Sequence, residues 1–124
     1  MWSLNYEHAV QSGFSRYEKK HQREYDACFV NLHKVMTILN GGNKFGSFNV
    51  GFLRSEHGGV YRIGESGVPG AKATRLYIYP DAGHEVIYVL KIGSKDGQSE
   101  DINEAKEIVE KIRGAYNEPQ SHSR

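Results

Sequence analysis

The stretch Thr74-Arg75-Leu76-Tyr77-Ile78-Tyr79, followed by Pro80-Asp81-Ala82-Gly83 and Glu85-Val86-Ile87-Tyr88-Val89-Leu90-Lys91-Ile92, decides the fold class. Side chains in a strand alternate between faces, so Leu76 and Ile78 point one way while Arg75, Tyr77 and Tyr79 point the other. Pro80 presets φ and Gly83 tolerates positive φ, so residues 80–83 predict a tight turn. The run from Glu85 to Ile92 is mostly apolar and rich in β-branched residues, the pattern of a central strand buried on both faces.

Upstream, Asn49 to Arg54 and Val60 to Ile63 predict two more strands, parted by Gly58-Gly59. Gly64-Glu65-Ser66-Gly67-Val68-Pro69-Gly70 predicts a mobile surface loop between strands. Residues 6–40 carry a helical period: Val10, Phe14 and Tyr17, then Phe29, Leu32, Val35, Met36 and Leu39. The polar run from Glu18 to Glu24 between these stripes is either a helix–helix turn or the exposed face of one long helix. Gly41-Gly42 stops the helix. Trp2 to Asn5 can form a short first strand. Downstream, a helix is expected from Asp101 to Tyr116, with Asp101 as cap, Glu104 as its capping-box partner and Glu107–Lys111 as an i,i+4 ion pair. Ile102, Ala105, Ile108, Val109 and Ile112 form its apolar stripe.

The expected architecture is therefore α+β. A small antiparallel sheet of three to four strands packs on an N-terminal helical pair or long helix, a C-terminal helix follows, and the helices lie on one face. Residues 1–116 are expected to form one domain and residues 117–124 a frayed polar tail.

With 124 residues, 38% hydrophobic and 25% charged, the chain has a globular composition. No apolar run is long enough for a membrane span, and the first residues lack the features of a secretory signal. The lone Cys28 makes no internal disulfide and, sitting in a helical stripe, is expected to fill core. A cytoplasmic location follows from these readings. Net charge is +1, but residues 41–95 hold seven basic and four acidic residues while residues 96–124 hold four and seven. A basic middle beside an acidic end suits a phosphate-binding face next to a solvated helix.

Six histidines show no i,i+4 pair on a helix and no cysteine companion, so no metal site is expected; His57 and His84 are expected in exposed turns. Gly64, Gly67 and Gly70 lack the Gly-Lys-Ser/Thr ending of a nucleotide loop. What remains is a basic–aromatic set: Arg54, Arg62, Arg75, Lys91 and Lys95, with Tyr61, Tyr77 and Tyr79 interleaved. If the face bearing Arg75, Tyr77 and Tyr79 is open, guanidinium groups could pair phosphates and phenol rings could stack on bases. The same pattern also suits an ordinary solvated sheet face with no ligand.

The strand Thr74–Tyr79 and the strand Glu85–Ile92, running on through Gly93-Ser94-Lys95, resemble the sheet core of the RelE/ParE toxin superfamily. The continuation Lys95-Asp96-Gly97-Gln98, leading to Ile102, Ala105 and Ile108, is similar to the HigB-like, phage-derived branch, where a Lys-x-x-Gln turn opens a long C-terminal helix. The chain differs from the RelE branch in carrying Asp101 and Glu104 where a tyrosine is common there, and in its longer segment from Gly64 to Ala73. The resemblance implies a toxin of a type II toxin–antitoxin system, an mRNA interferase that cleaves by 2′-OH attack without a metal or cofactor, on the ribosome. Its partners would be a cognate antitoxin, mRNA and the ribosome, with no membrane. It implies catalytic roles for Arg75, Lys95 and Tyr79, and RNA contacts for Arg54, Arg62, Tyr77 and Lys91. The alternative within the resemblance is a non-catalytic binding protein that inhibits a topoisomerase or only holds an antitoxin.

Overall fold

The computed structural model describes residues 1–9 and 13–122. The protein is α+β, with a five-stranded mixed sheet between helices. In chain order the elements are β1 (Ser3–Asn5), α1 (Phe14–Lys20), α2 (Gln22–Asn40), β2 (Leu53–Ser55), β3 (Tyr61–Gly64), β4 (Thr74–Asp81), β5 (Val86–Ser94) and α3 (Gln98–His122). The sheet order is β1-β5-β4-β3-β2. The strands from β2 to β5 pair antiparallel, but β1 joins β5 in parallel, with Ser3 opposite Val86 and Asn5 opposite Tyr88. The expected antiparallel sheet of three to four strands is thus corrected to five strands of mixed direction.

The helical region begins later than its periodicity suggests. Gly13 takes a left-handed φ of 78° and starts α1 at Phe14; Val10, expected in the first stripe, lies outside the described residues. The polar run contains a break, not a continuous helix: His21 leaves helical geometry at φ −138° and ψ 55°. An unbroken helix over 14–40 would be about 40 Å long, more than a sheet with strands of three to nine residues can cover. The break lets Phe14 and Tyr17 pack into the same cluster as Cys28, Leu32, Val35 and Leu39 of α2. These side chains cover Ile63, Leu76, Ile78, Ile87, Val89 and Ile92 on one sheet face. Cys28 is fully buried, and burial pushes its thiol up to about 12. Native protein at pH 8 is therefore expected to leave a chromogenic disulfide reagent unreacted, with one thiol appearing on denaturation.

The loop after β3 is tied to this helix pair. Asn31 Nδ2 donates to Gly64 O at 2.8 Å and Ser66 Oγ at 3.2 Å. Tyr17 Oη and Thr74 Oγ1 share a hydrogen bond of 2.7 Å. Glu24, buried on α2, accepts the Lys72 N–H at 3.0 Å. That backbone donor holds the Glu24 carboxyl below its ordinary value of 4.5. A carboxyl held low when folded stabilises above its unfolded value, and the contribution fades as pH falls through the folded value. The urea-midpoint gap between the wild type and Glu24→Gln should be open at pH 7 and close as pH drops below 4.5.

The opposite face is covered too, against the expectation that all helices share one side. Val60, Tyr77, Tyr88 and Leu90 are apolar enough to need a cover, and Ala105, Val109 and Ile112 of α3 supply it. A bulge between Tyr77 and Ile78 shifts the register so that Tyr77 faces Lys91 and Ile78 faces Val89. Leu90 and Lys91 consequently lie toward the same helix, although they are consecutive.

Three expected boundaries also move. Pro80 and Asp81 belong to β4, because β3 ends at Tyr61 opposite Ile78 and leaves no ladder donor to lose at Pro80. The positive φ of that hairpin falls at Glu85 (55°), not at Gly83. A 3₁₀ turn at Lys95–Gly97 leads into α3, so Asp101 is inside the helix and not its cap. Its carboxylate instead lies over Gly93, where any Cβ would collide with it. On α3, Glu110 pairs with Arg113 at 3.8 Å, while the expected Glu107–Lys111 pair is not formed. The backbone of α3 continues to His122 through most of the expected tail; residues 123 and 124 lie outside the described residues.

Candidate functional site

Register places Arg54, Arg62, Tyr77 and Lys91 directly across β2, β3, β4 and β5 from one another. Arg75 begins the next row, opposite Gly64 on β3 and Gly93 on β5. Because α3 crosses only part of this face, the row divides into two environments.

Under α3 the expected contacts are consumed internally. Tyr77 is 0% exposed, and its hydroxyl has no hydrogen-bond partner among the described residues. Burial, then the nearby Asp101 and Glu56 carboxylates, raise its phenol above the ordinary range. The expected RNA contact of Tyr77 needs an exposed ring, and in this structure the ring is buried under α3. Lys91 forms ion pairs with Glu104 and, at 3.9 Å, with Asp101. Its charge, expected to face RNA, is here neutralised and mostly buried. Burial raises the Asp101 carboxyl, partly countered by Lys91. Removing the orphan hydroxyl should help folding: Tyr77→Phe is expected to gain about 1 kcal/mol in urea denaturation, since a buried hydroxyl without a partner costs about 1–3 kcal/mol.

Tyr79 is also moved away from its expected role. It lies four residues along β4 from Arg75, about 13 Å at strand rise. There Arg113 sits over its ring at 5.3 Å, and Tyr88 stacks on it at 5.7 Å. It takes no part in the arrangement at Arg75.

Beyond α3, three guanidinium groups line one pocket of about 140 Å³. Arg54, Arg62 and Arg75 come from β2, β3 and β4, and Gly51, Phe52, Gly64 and Glu65 complete the lining. Arg62 Nε pairs with Glu56 at 2.9 Å, while its Nη1 donates to Gln98 Oε1 at 3.3 Å. Arg75 Nε donates to the same oxygen at 3.4 Å. Among the described residues Arg75 has no carboxylate partner, and Arg54 is exposed without one. Lys95 starts the 3₁₀ turn with an exposed side chain. Its N–H donates to Ala73 O at 2.9 Å, which sets it at the same end of the sheet as Arg75 but outside the pocket lining.

Sequence reasoning missed Gln98, Gly64 and Glu65 as parts of this site. Gln98 was visible in the Lys95–Gln98 turn, but nothing local links a helix residue to arginines on two strands. His57 and His84 are exposed as expected; His84 Nδ1 contacts Asp81 Oδ2 at 2.8 Å and its ring stacks on Tyr116. Among the described residues no three His, Cys, Asp or Glu side chains come together to hold a metal ion, and no helix is long and apolar enough to cross a membrane. No protein-family model, curated protein or solved structure matches the chain.

Proposed function

We propose that the chain is a RelE/HigB-like endoribonuclease toxin that seats an RNA phosphodiester on Arg54, Arg62 and Arg75. The observation that carries this reading is the convergence of three guanidinium groups, two of them without a carboxylate partner among the described residues, on a polar pocket. Guanidinium forks match phosphate oxygens in pairs and suit the charge that builds on phosphorus during attack. In the reaction the ribose 2′-oxygen bonds to the adjacent phosphorus and the bond from phosphorus to the 5′-oxygen breaks. A 2′,3′-cyclic phosphate and a 5′-hydroxyl end result. Arg75 would carry the oxyanion charge and Arg62 and Arg54 would clamp the phosphate. In this reading Glu65, the carboxylate in the lining, would accept the 2′-OH proton, and Lys95, at the same end of the sheet but outside the lining, would supply one to the leaving 5′-oxygen. The partners in this reading are mRNA, the ribosome and a neutralising antitoxin in the cytoplasm.

A second reading, a non-catalytic RelE/ParE-fold binding protein, is favoured by the withdrawal of Tyr77, Tyr79 and Lys91 from the site. One experiment separates them: purified protein is added to a translating extract and the mRNA ends are mapped. Cyclic-phosphate ends with the wild type and none with Arg75→Ala support the nuclease. Intact mRNA at high protein, with Arg75→Ala behaving identically, overturns the nuclease, and growth arrest that survives Arg75→Ala and Lys95→Ala then supports the binding module.

A further inference from the structure

The two arginines nearest α3 are held in different ways from the same side. Gln98, the first residue of α3, accepts from Arg75 only at Nε and from Arg62 only at Nη1. Glu56 occupies Arg62 Nε. Among the described residues Arg75 thus keeps both terminal nitrogens without a hydrogen-bond partner, and Arg62 keeps Nη2. Arg75 Nη1 lies 3.7 Å from where a Cβ on Gly64 would stand, so the absent side chain leaves that nitrogen facing the pocket. The contacts of 3.3 and 3.4 Å are long for N–H···O bonds, as expected when one neutral oxygen serves two forks. A carboxylate in its place would hold the arginines more tightly but cancel one of their charges.

We propose that Gln98 is the positioning residue of the pocket: it aims the free ends of Arg62 and Arg75 at a phosphate group while adding no negative charge. This rests on the phosphate reading of the site. It assigns to the opening turn of α3 a part in binding RNA without touching it, by acting through Arg62 and Arg75.

The test uses the full chain and a 2′-O-methyl RNA oligonucleotide, which lacks the attacking hydroxyl and stays intact. Affinity is measured by fluorescence anisotropy across a salt series. Gln98→Met, which keeps shape and site charge, is expected to weaken binding about tenfold, because both arginines lose their shared acceptor, with the salt slope unchanged. Gln98→Glu is expected to weaken it further and to flatten the log–log salt slope by about 0.7, the value of one phosphate contact on a single strand. In an Arg75→Ala background Gln98→Met should cost clearly less, because only the contact to Arg62 is left to lose. Wild-type affinity in Gln98→Met, or an undiminished further loss in the Arg75→Ala background, would overturn the proposal while leaving the phosphate reading standing. Unchanged binding by Arg75→Ala alone would overturn the phosphate reading, and the role of Gln98 with it.

Discussion

Leu32→Ala is expected to lower the unfolding free energy by about 3 kcal/mol, a large part of the roughly 5–15 kcal/mol that a domain possesses. Leu32 is completely buried in the middle of the α2 stripe that runs from Cys28 through Val35 to Leu39. It packs in the same cluster as Ile63, Leu76, Ile78 and Val89, which come from three adjacent strands. Strands fixed by their ladders cannot collapse into the space, so the cavity term adds to the lost transfer term. Urea denaturation checks the value. Val30→Ala is the control: Val30 is on the same helix but 53% exposed, and its truncation should stay within about 0.5 kcal/mol. Equal effects for the two variants would contradict the packing of α2 on the sheet.

The second large effect belongs to the pocket. Arg75→Ala is expected to slow RNA cleavage by at least about a hundredfold, the usual consequence of deleting a donor to a developing oxyanion. Its melting temperature should barely move, because Arg75 balances no carboxylate and its one hydrogen bond is to a neutral oxygen. Arg62→Ala should lose both activity and stability, since Glu56 would then be left half-buried without its 2.9 Å partner. Arg75→Lys should rescue little, because an ammonium cannot bond Gln98 and a phosphate together as a fork does. Cleavage mapped at primer-extension stops, beside calorimetric melting of the same preparations, makes the comparison. Full activity in Arg75→Ala would end the catalytic role of Arg75.

Much of the fold was legible in the chain because it rests on local periodicity. Leu76 and Ile78 do face away from Tyr77 and Tyr79, and the apolar run through Val89 does form a strand buried on both sides. The parallel β1 was visible only as a short apolar-edged segment, since a three-residue strand has too little pattern to show its partner. The break at His21 had no proline or glycine to announce it and follows from the length of the sheet below. Pro80 looked like a turn residue because a strand proline is tolerated only where a neighbour has already ended, and that ending is set by another strand.

For the site, Arg54, Arg62 and Arg75 were identifiable as a basic set, whereas Tyr77, Tyr79 and Lys91 looked equally suitable and are spent on packing and ion pairs. By itself the order of residues determined an α+β chain with a basic sheet and an apolar stripe on each helix, because alternation and helical period are properties of neighbouring residues. Only the tertiary structure decided which cations stay uncompensated. Burial and pairing depend on groups remote in sequence, as when α3 brings Glu104 onto Lys91 and sets Gln98 against an arginine 23 residues away.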